Sequence, residues 1–343
     1  MAHPPIAVMS FNRPDYLRQV LESLAAQADI AQREVFLFQD HWRNEHSGRV
    51  LGTAEEVEAC IAAFRDIFPR GHVLAAPANL GVAENFHRAE TLFFRELKAD
   101  CGYFFEDDLV LAPRYLATLD ALRDATGPTG KVGYFACYGH LQADLAEQAR
   151  RARLLRRIGH LWGFGLFRSH WEEMQPLMAE YYELVLGRDY KTRPHEEIQR
   201  RYRGRGILIG VTSQDDVKKA VTYALGRVGL NTHVASGRYI GAVGLHMNPK
   251  KFEASGFART EWLDLPRVEF DLPDAAGFAA LHAEEMQVRA RNIEKEAEKA
   301  REKEAARAAL RAPAAPAAAP VPVTVPALDV PASAPIAAPV AAP

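Results

Sequence analysis

The stretch Tyr103-Phe104-Phe105-Glu106-Asp107-Asp108-Leu109 sets three aromatic residues directly before three consecutive carboxylates. A short apolar run that ends in charge reads as a buried strand whose end meets solvent. Three acids leaving one strand repel one another unless a cation or hydrogen-bond donors receive them. A hard divalent ion, Mn²⁺ or Mg²⁺, takes carboxylate and phosphate oxygens, often through only one or two protein ligands. The plainer alternative is a strand end with solvated acids and a cap for the helix that follows Pro113.

Upstream, Ile6 to Phe11, Glu34 to Gln39 and His72 to Ala76 are similar apolar runs. Each is followed by a helical pattern: from Pro14, from Thr53 to Phe68, and from Gly81 to Lys98. Short apolar runs separated by helices predict βαβ crossovers and an α/β, Rossmann-like, mostly parallel sheet flanked by helices. In such sheets the binding crevice lies beyond the carboxyl ends of the strands. The polar residues there are Asn12-Arg13, Asp40, Asn79 and Glu106-Asp107-Asp108, which predicts one shared crevice. The first crossover lacks GxGxxG, and GxxxxGK[ST] is absent throughout, so a dinucleotide dehydrogenase or P-loop NTPase is disfavoured.

Composition narrows the class further. Lys plus Arg is 42 against 44 for Asp plus Glu, a formal net charge of −2, which argues against nucleic acid held by phosphate neutralisation. Cys60, Cys101 and Cys137 are odd in number and lack CxxC spacing, against a disulfide scaffold or structural zinc. The first residues, MAHPPIAVMS, do not read as a signal peptide, and no apolar run reaches the length of a membrane span. A cytoplasmic location is the expectation.

Three regions emerge: a catalytic domain over residues 1–260, a charged helical extension over 261–311, and a Pro/Ala-rich, disordered tail over 312–343 that holds nine of the 21 prolines. In the extension, Ala279, Ala283, Met286, Ala290, Ile293, Ala297 and Ala300 form a weak heptad seam. A homodimer through this helix is one reading, and a solvated helix of mixed charge the other. Two basic runs, Arg150 to Arg157 and Arg200 to Arg205, read as solvated faces, with peripheral membrane contact as the alternative.

Taken in order, Arg13, Phe38-Gln39-Asp40, Phe105-Glu106-Asp107-Asp108-Leu109, Leu161-Trp162-Gly163-Phe164-Gly165-Leu166, Asp215-Asp216 and Gly241-Ala242-Val243-Gly244-Leu245-His246 resemble the nucleotide-diphospho-sugar glycosyltransferases of the GT-A fold. Among them the chain looks most like the N-acetylglucosaminyltransferase I family, over about residues 5–255. The resemblance implies a UDP-sugar donor, with N-acetylglucosamine as the candidate sugar, and a glycan or glycoconjugate acceptor. It implies that Asp40 meets the uracil edge and that Arg13 faces the nucleotide or diphosphate. Glu106 and Asp107 would contact donor sugar and ribose, Asp108 would bind the metal directly, and His246 would sit at the metal or pyrophosphate. The loop at Trp162 and Gly163 would lie beside the donor sugar.

An inverting transfer needs a carboxylate to take the acceptor hydroxyl's proton. Gly210-Val211-Thr212-Ser213-Gln214-Asp215-Asp216-Val217 follows a strand-like run, Ile207 to Val211, and offers Asp215, then Asp216, as that base. Helix-start acids favoured by the macrodipole are the structural alternative, and Glu183 and Asp189 are further candidates. Two other readings stay open. A sugar-1-phosphate nucleotidyltransferase would normally carry a Gly-rich basic first loop, which SFNRPDYL is not. A non-catalytic scaffold would not need these acids.

Overall fold

The computed structural model describes residues 3–244 and 247–311. His246 and the tail region 312–343 lie outside the described residues. Elements follow in chain order: β1 (Ile6–Ser10), α1 (Pro14–Ala25), β2 (Val35–Gln39), α2 (Ala54–Ile67), β3 (His72–Ala75), α3 (Gly81–Thr91), β4 (Cys101–Glu106), β5 (Leu109–Leu111) and α4 (Tyr115–Thr126). Then come β6 (Val132–Ala136), α5 (Leu145–Arg150), β7 (Leu155–Arg157), β8 (Phe164–Phe167), α6 (Arg168–Val185), α7 (His195–Gly204), α8 (Gln214–Ala224), β9 (Val228–Thr232), β10 (Gly237–Tyr239), α9 (Pro249–Ala254) and α10 (Ala275–Arg311).

The main sheet has eight strands in the order β3-β2-β1-β4-β8-β6-β9-β7, and β10 pairs with β5 in a separate two-stranded sheet. β1 is buried along its whole length and pairs in parallel with β2 and β4, so that Val8 lies between Leu37 and Phe105. β8 runs antiparallel to both β4 and β6, and β7 antiparallel to β9. Helices cover both faces, so the central strands bury every side chain and read as continuous apolar runs. The chain is therefore an α/β protein with a mostly parallel sheet, as its alternating runs predict. Because β6 and β9 point the same way as β4, the chain segments after all three open on one edge of the sheet.

Two expected features differ. Ile207 to Val211 is irregular rather than a strand. Ile207 and Ile209 are buried, but Arg203 and Gln199 of α7 donate to the carbonyls of Ile209 and Gly210, replacing ladder partners. The glycines at 163 and 165 also part company: Phe164–Phe167 is strand β8, and only Trp162-Gly163 belongs to a loop.

The chain divides into two compact units, Met1–Ala297 and Glu298–Pro343. The first extends past the compositional boundary at 260, because the early turns of α10 dock on it. Their buried side chains are Glu285 and Arg289, flanked by partly buried Phe278, Leu281 and Met286, while Ala279, Ala283 and Ala290 of the heptad seam are exposed. Arg157 donates to Glu285 at 2.6 Å, and Arg289 reaches Asp216 at 3.3 Å. The basic runs are likewise largely paired within the chain, Arg153 with Asp271 and Arg201 with Glu183 among them. Among the described residues no helix is long and apolar enough to cross a membrane. All three cysteines are free and buried.

Two charged groups sit deep in the core. Lys218 of α8 and Glu90 of α3 pair at 2.5 Å, each side chain 1% exposed. His170 of α6 is fully buried, its Nε2 lying 2.9 Å from the Thr222 hydroxyl of α8. Burial first, then the charge of Arg227, pushes its pKa down to about 4 from 6.5. Burial and Lys218 do the same to His87, also to about 4. The unfolded chain takes protons near 6.5 that the folded chain refuses until about 4, so stability is full above the upper value and falls as pH drops through this window. We expect the urea midpoint to decline from pH 6.5 toward pH 4 and His170→Gln to flatten that decline. The same slope in the variant would leave His170 without a part in it.

Candidate active site

Proline at the first position of α1 fixes the helix start and leaves Arg13 at its cap, beside the end of β4. β4 ends at Glu106, β5 begins at Leu109, and Asp107-Asp108 is the turn between them. Arg13 spans that turn. Its Nε donates to Asp107 Oδ2 at 3.1 Å, and its Nη2 to Asp107 Oδ1 and, at 2.9 Å, to Asp108 Oδ2. Nη1 donates to the Val243 carbonyl at 3.3 Å. The segment after β10 thus folds over the same arginine.

The charges are strongly coupled. Burial works against the Arg13 cation, but Asp107 and then Asp108 outweigh it and hold the guanidinium charged. Burial pushes Asp108 up to about 6, Asp107 adding to the rise and Arg13 opposing it. Asp107 is raised by burial against the pull of Arg13. Glu106 is raised well above the carboxylate range by burial and by the negative charges of Asp108, Asp107 and Asp215. Asp215 therefore lies within electrostatic reach of Glu106 although it is far along the chain.

Asp215 stands at the start of α8. The Tyr190 hydroxyl, accepting from the Gln214 N–H at 2.8 Å, holds that helix end in place. Burial opposes the charge of Asp215, but Lys219, the Ser213 hydroxyl and His160 together keep its carboxyl below the ordinary range. It is ionised at neutral pH. Asp216 points elsewhere: it pairs with Arg289 of α10 and, at 4.0 Å, with Lys219. Adjacent acids thus divide, one toward the carboxylate turn and one toward the docked helix.

Trp162 lies flat on Tyr239 and on His160, with ring centroids at 4.5 Å and 4.2 Å and interplanar angles of 5° and 10°. Gly163 adopts a left-handed backbone at φ 50°, and its carbonyl accepts from the Tyr115 hydroxyl at 2.7 Å. A Cβ there would stand 2.5 Å from that hydroxyl. At Gly241 a Cβ would come within 2.8 Å of Asp108 Oδ2 and 2.5 Å of the Tyr239 hydroxyl. The backbone therefore passes directly over the acidic turn.

Other expected residues fall differently. Asp40 is buried, and both its oxygens are taken from within the chain: Oδ1 by the N–H groups of His41 and Leu80, Oδ2 by Gly81 N–H and the Asn79 amide. Its carboxylate caps α3, and no lone pair is left over for a pyrimidine edge. Asp189 is buried against Ser47 and Arg49, and Glu183 is an exposed partner of Arg201. His246 lies outside the described residues.

His160, Lys219, Tyr190 and Tyr239 join the site without having been singled out by sequence. His160, Lys219 and Tyr239 each lie within two residues of a quoted motif, and Tyr190 adjoins Asp189.

A hard divalent cation suits this donor set. Asp107 and Asp108 share the single guanidinium of Arg13, and Glu106 adds a carboxyl whose proton a bound ion would displace, so every donor at the turn is oxygen.

No family model matches the chain, and no curated protein matches it significantly. Among solved structures it is similar to S. aureus TarS, with 11% identity and a TM-score of 0.40 over 68% of this chain and 36% of that one. S. aureus TarS 1-349 matches with 10% identity and a TM-score of 0.40 over 69% and 61% of the two chains. The chain thus spans less than two thirds of either.

Proposed function

We propose that the chain is a metal-dependent, inverting glycosyltransferase that moves a sugar from a nucleotide-diphosphate donor, a UDP-sugar, to a hydroxyl of a glycan or glycoconjugate. The observation that carries this reading is the Glu106-Asp107-Asp108 turn forked by Arg13, with Asp215 near enough to raise the Glu106 carboxyl.

The roles follow from position. Asp108, with Glu106 and Asp107 beside it, would hold Mn²⁺ or Mg²⁺, which when bound supplies Lewis-acid neutralisation of the departing diphosphate. Arg13 offers a fork of N–H donors to phosphate oxygens, and recognition by it requires partial release from Asp107 and Asp108. The stack of His160, Trp162 and Tyr239 fixes the Trp162-Gly163 loop that would lie beside the donor sugar. Asp215 accepts the proton of the acceptor hydroxyl as that oxygen attacks the anomeric carbon from the face opposite the diphosphate. N-acetylglucosamine as the donor sugar rests on the motif resemblance alone.

Calorimetric titration of UDP into wild type and Asp108→Ala, with and without Mn²⁺, tests the donor site. Binding that depends on Mn²⁺ and weakens in the variant is expected. Absence of UDP binding under every condition would sink the assignment of a UDP-sugar donor.

A further inference from the structure

Away from the acidic turn, past the ends of β6 and β9, a second cluster of ligating side chains comes together. His140 follows β6, His233 follows β9, and Glu147 lies on α5. One ligand atom from each falls within 4.8 Å of the other two. The two imidazoles lie parallel, with centroids 5.3 Å apart and an interplanar angle of 4°. Nε2 of His233 is 3.3 Å from Glu147 Oε1 but off the line of a hydrogen bond.

We infer that His140, Glu147 and His233 form a transition-metal site suited to Zn²⁺, separate from the oxygen-only cluster at Asp108.

Three observations support this. First, His233 is only 4% exposed, and its Nε2 and His140 Nδ1 are both buried without a hydrogen-bond partner. Buried polar nitrogens are nearly always satisfied, so two orphans beside one carboxylate call for a shared ligand. Second, the scaffold is fixed without any ion. The His140 N–H donates to the His233 carbonyl at 3.0 Å. The Gly139 backbone and the Asn231 side chain exchange two bonds of 3.1 Å. Asp144 caps the helix carrying Glu147. Third, the chemistry matches. Two imidazoles and a carboxylate make the borderline nitrogen-and-oxygen set that Zn²⁺ and its neighbours prefer, whereas Mg²⁺ or Mn²⁺ favours the acids at Asp108. Arg151, 3.8 Å from Glu147, is the competing partner that an ion must outweigh.

Titration of Zn²⁺ by calorimetry, and of Co²⁺ by its ligand-field absorption, into the full chain tests this without reference to turnover. Wild type and Asp108→Asn should both bind Zn²⁺ at one tight site and gain thermal stability from it. His140→Ala and His233→Ala should lose more than the roughly tenfold in affinity that an outer-shell change costs, along with the Co²⁺ bands. Should the buried His233→Ala fail to fold, His140→Ala and Glu147→Gln, at less buried positions, carry the test. Unchanged Zn²⁺ affinity in those two variants, absence of tight binding in wild type, or binding lost only in Asp108→Asn would each overturn the assignment. Because Asp108→Asn removes the donor-site acid and spares this one, failure here is distinguishable from failure of the proposed sugar transfer.

Discussion

Replacing Asp215 with asparagine should slow sugar transfer by roughly 10²- to 10⁴-fold, the range for loss of a general base, while UDP binding and the thermal midpoint stay near wild type. The amide keeps the shape of the side chain and its contact with Ser213, but it cannot take a proton. The carboxylate it replaces is held ionised by Lys219, Ser213 and His160 against the cost of burial, so the charge needed for the reaction is present at neutral pH. Asp216→Asn is the control. Its carboxylate engages Arg289 and Lys219, so that change should loosen the docking of α10 and leave turnover largely intact. Steady-state transfer rates for the two variants, compared at matched UDP-sugar and Mn²⁺, decide the matter. Full activity in Asp215→Asn would move the base to another residue.

The second large effect concerns stability. Lys218→Met should cost about 3–5 kcal/mol, because it strands the Glu90 carboxylate in the core. One Glu90 oxygen already lacks a hydrogen-bond partner, and Lys218, which also sits over the Phe86 ring at 5.2 Å, is the cation paired with the other. The double variant Lys218→Met/Glu90→Leu should regain most of the loss, since removing both charges also removes their desolvation penalty. Urea midpoints at constant m-value measure this. A cost below about 1 kcal/mol for the single change, the level of an exposed pair, would mean that the core admits water to the orphaned carboxylate.

The sheet was legible because its central strands are buried on both faces. Residues 6–9, 35–38 and 103–105 stand out as unbroken apolar runs, and the polar groups after them mark the crevice edge. Ile207 to Val211 has the same composition without a neighbouring strand to pair with, and composition alone does not reveal that. The acidic turn could be found in sequence because three like charges in a row need an explanation. The division of labour between Asp215 and Asp216 could not, since it depends on where α10 docks. Asp40 illustrates the converse. A strand-end acid suggests a ligand contact, yet the helix start that consumes its oxygens lies some forty residues further on. His140 and His233 look unremarkable as isolated histidines. Only the parallel pairing of β6 with β9 brings them side by side.

The fork of Arg13 across Asp107 and Asp108 has a bearing on how the chain is made and handled. An acidic turn that carries its own counter-charge can fold before any metal ion arrives. Treatment with a chelator should therefore empty the donor site without unfolding the protein. The affinity measured for an added cation is then a difference: the ion's attraction for these oxygens less that of the guanidinium it displaces.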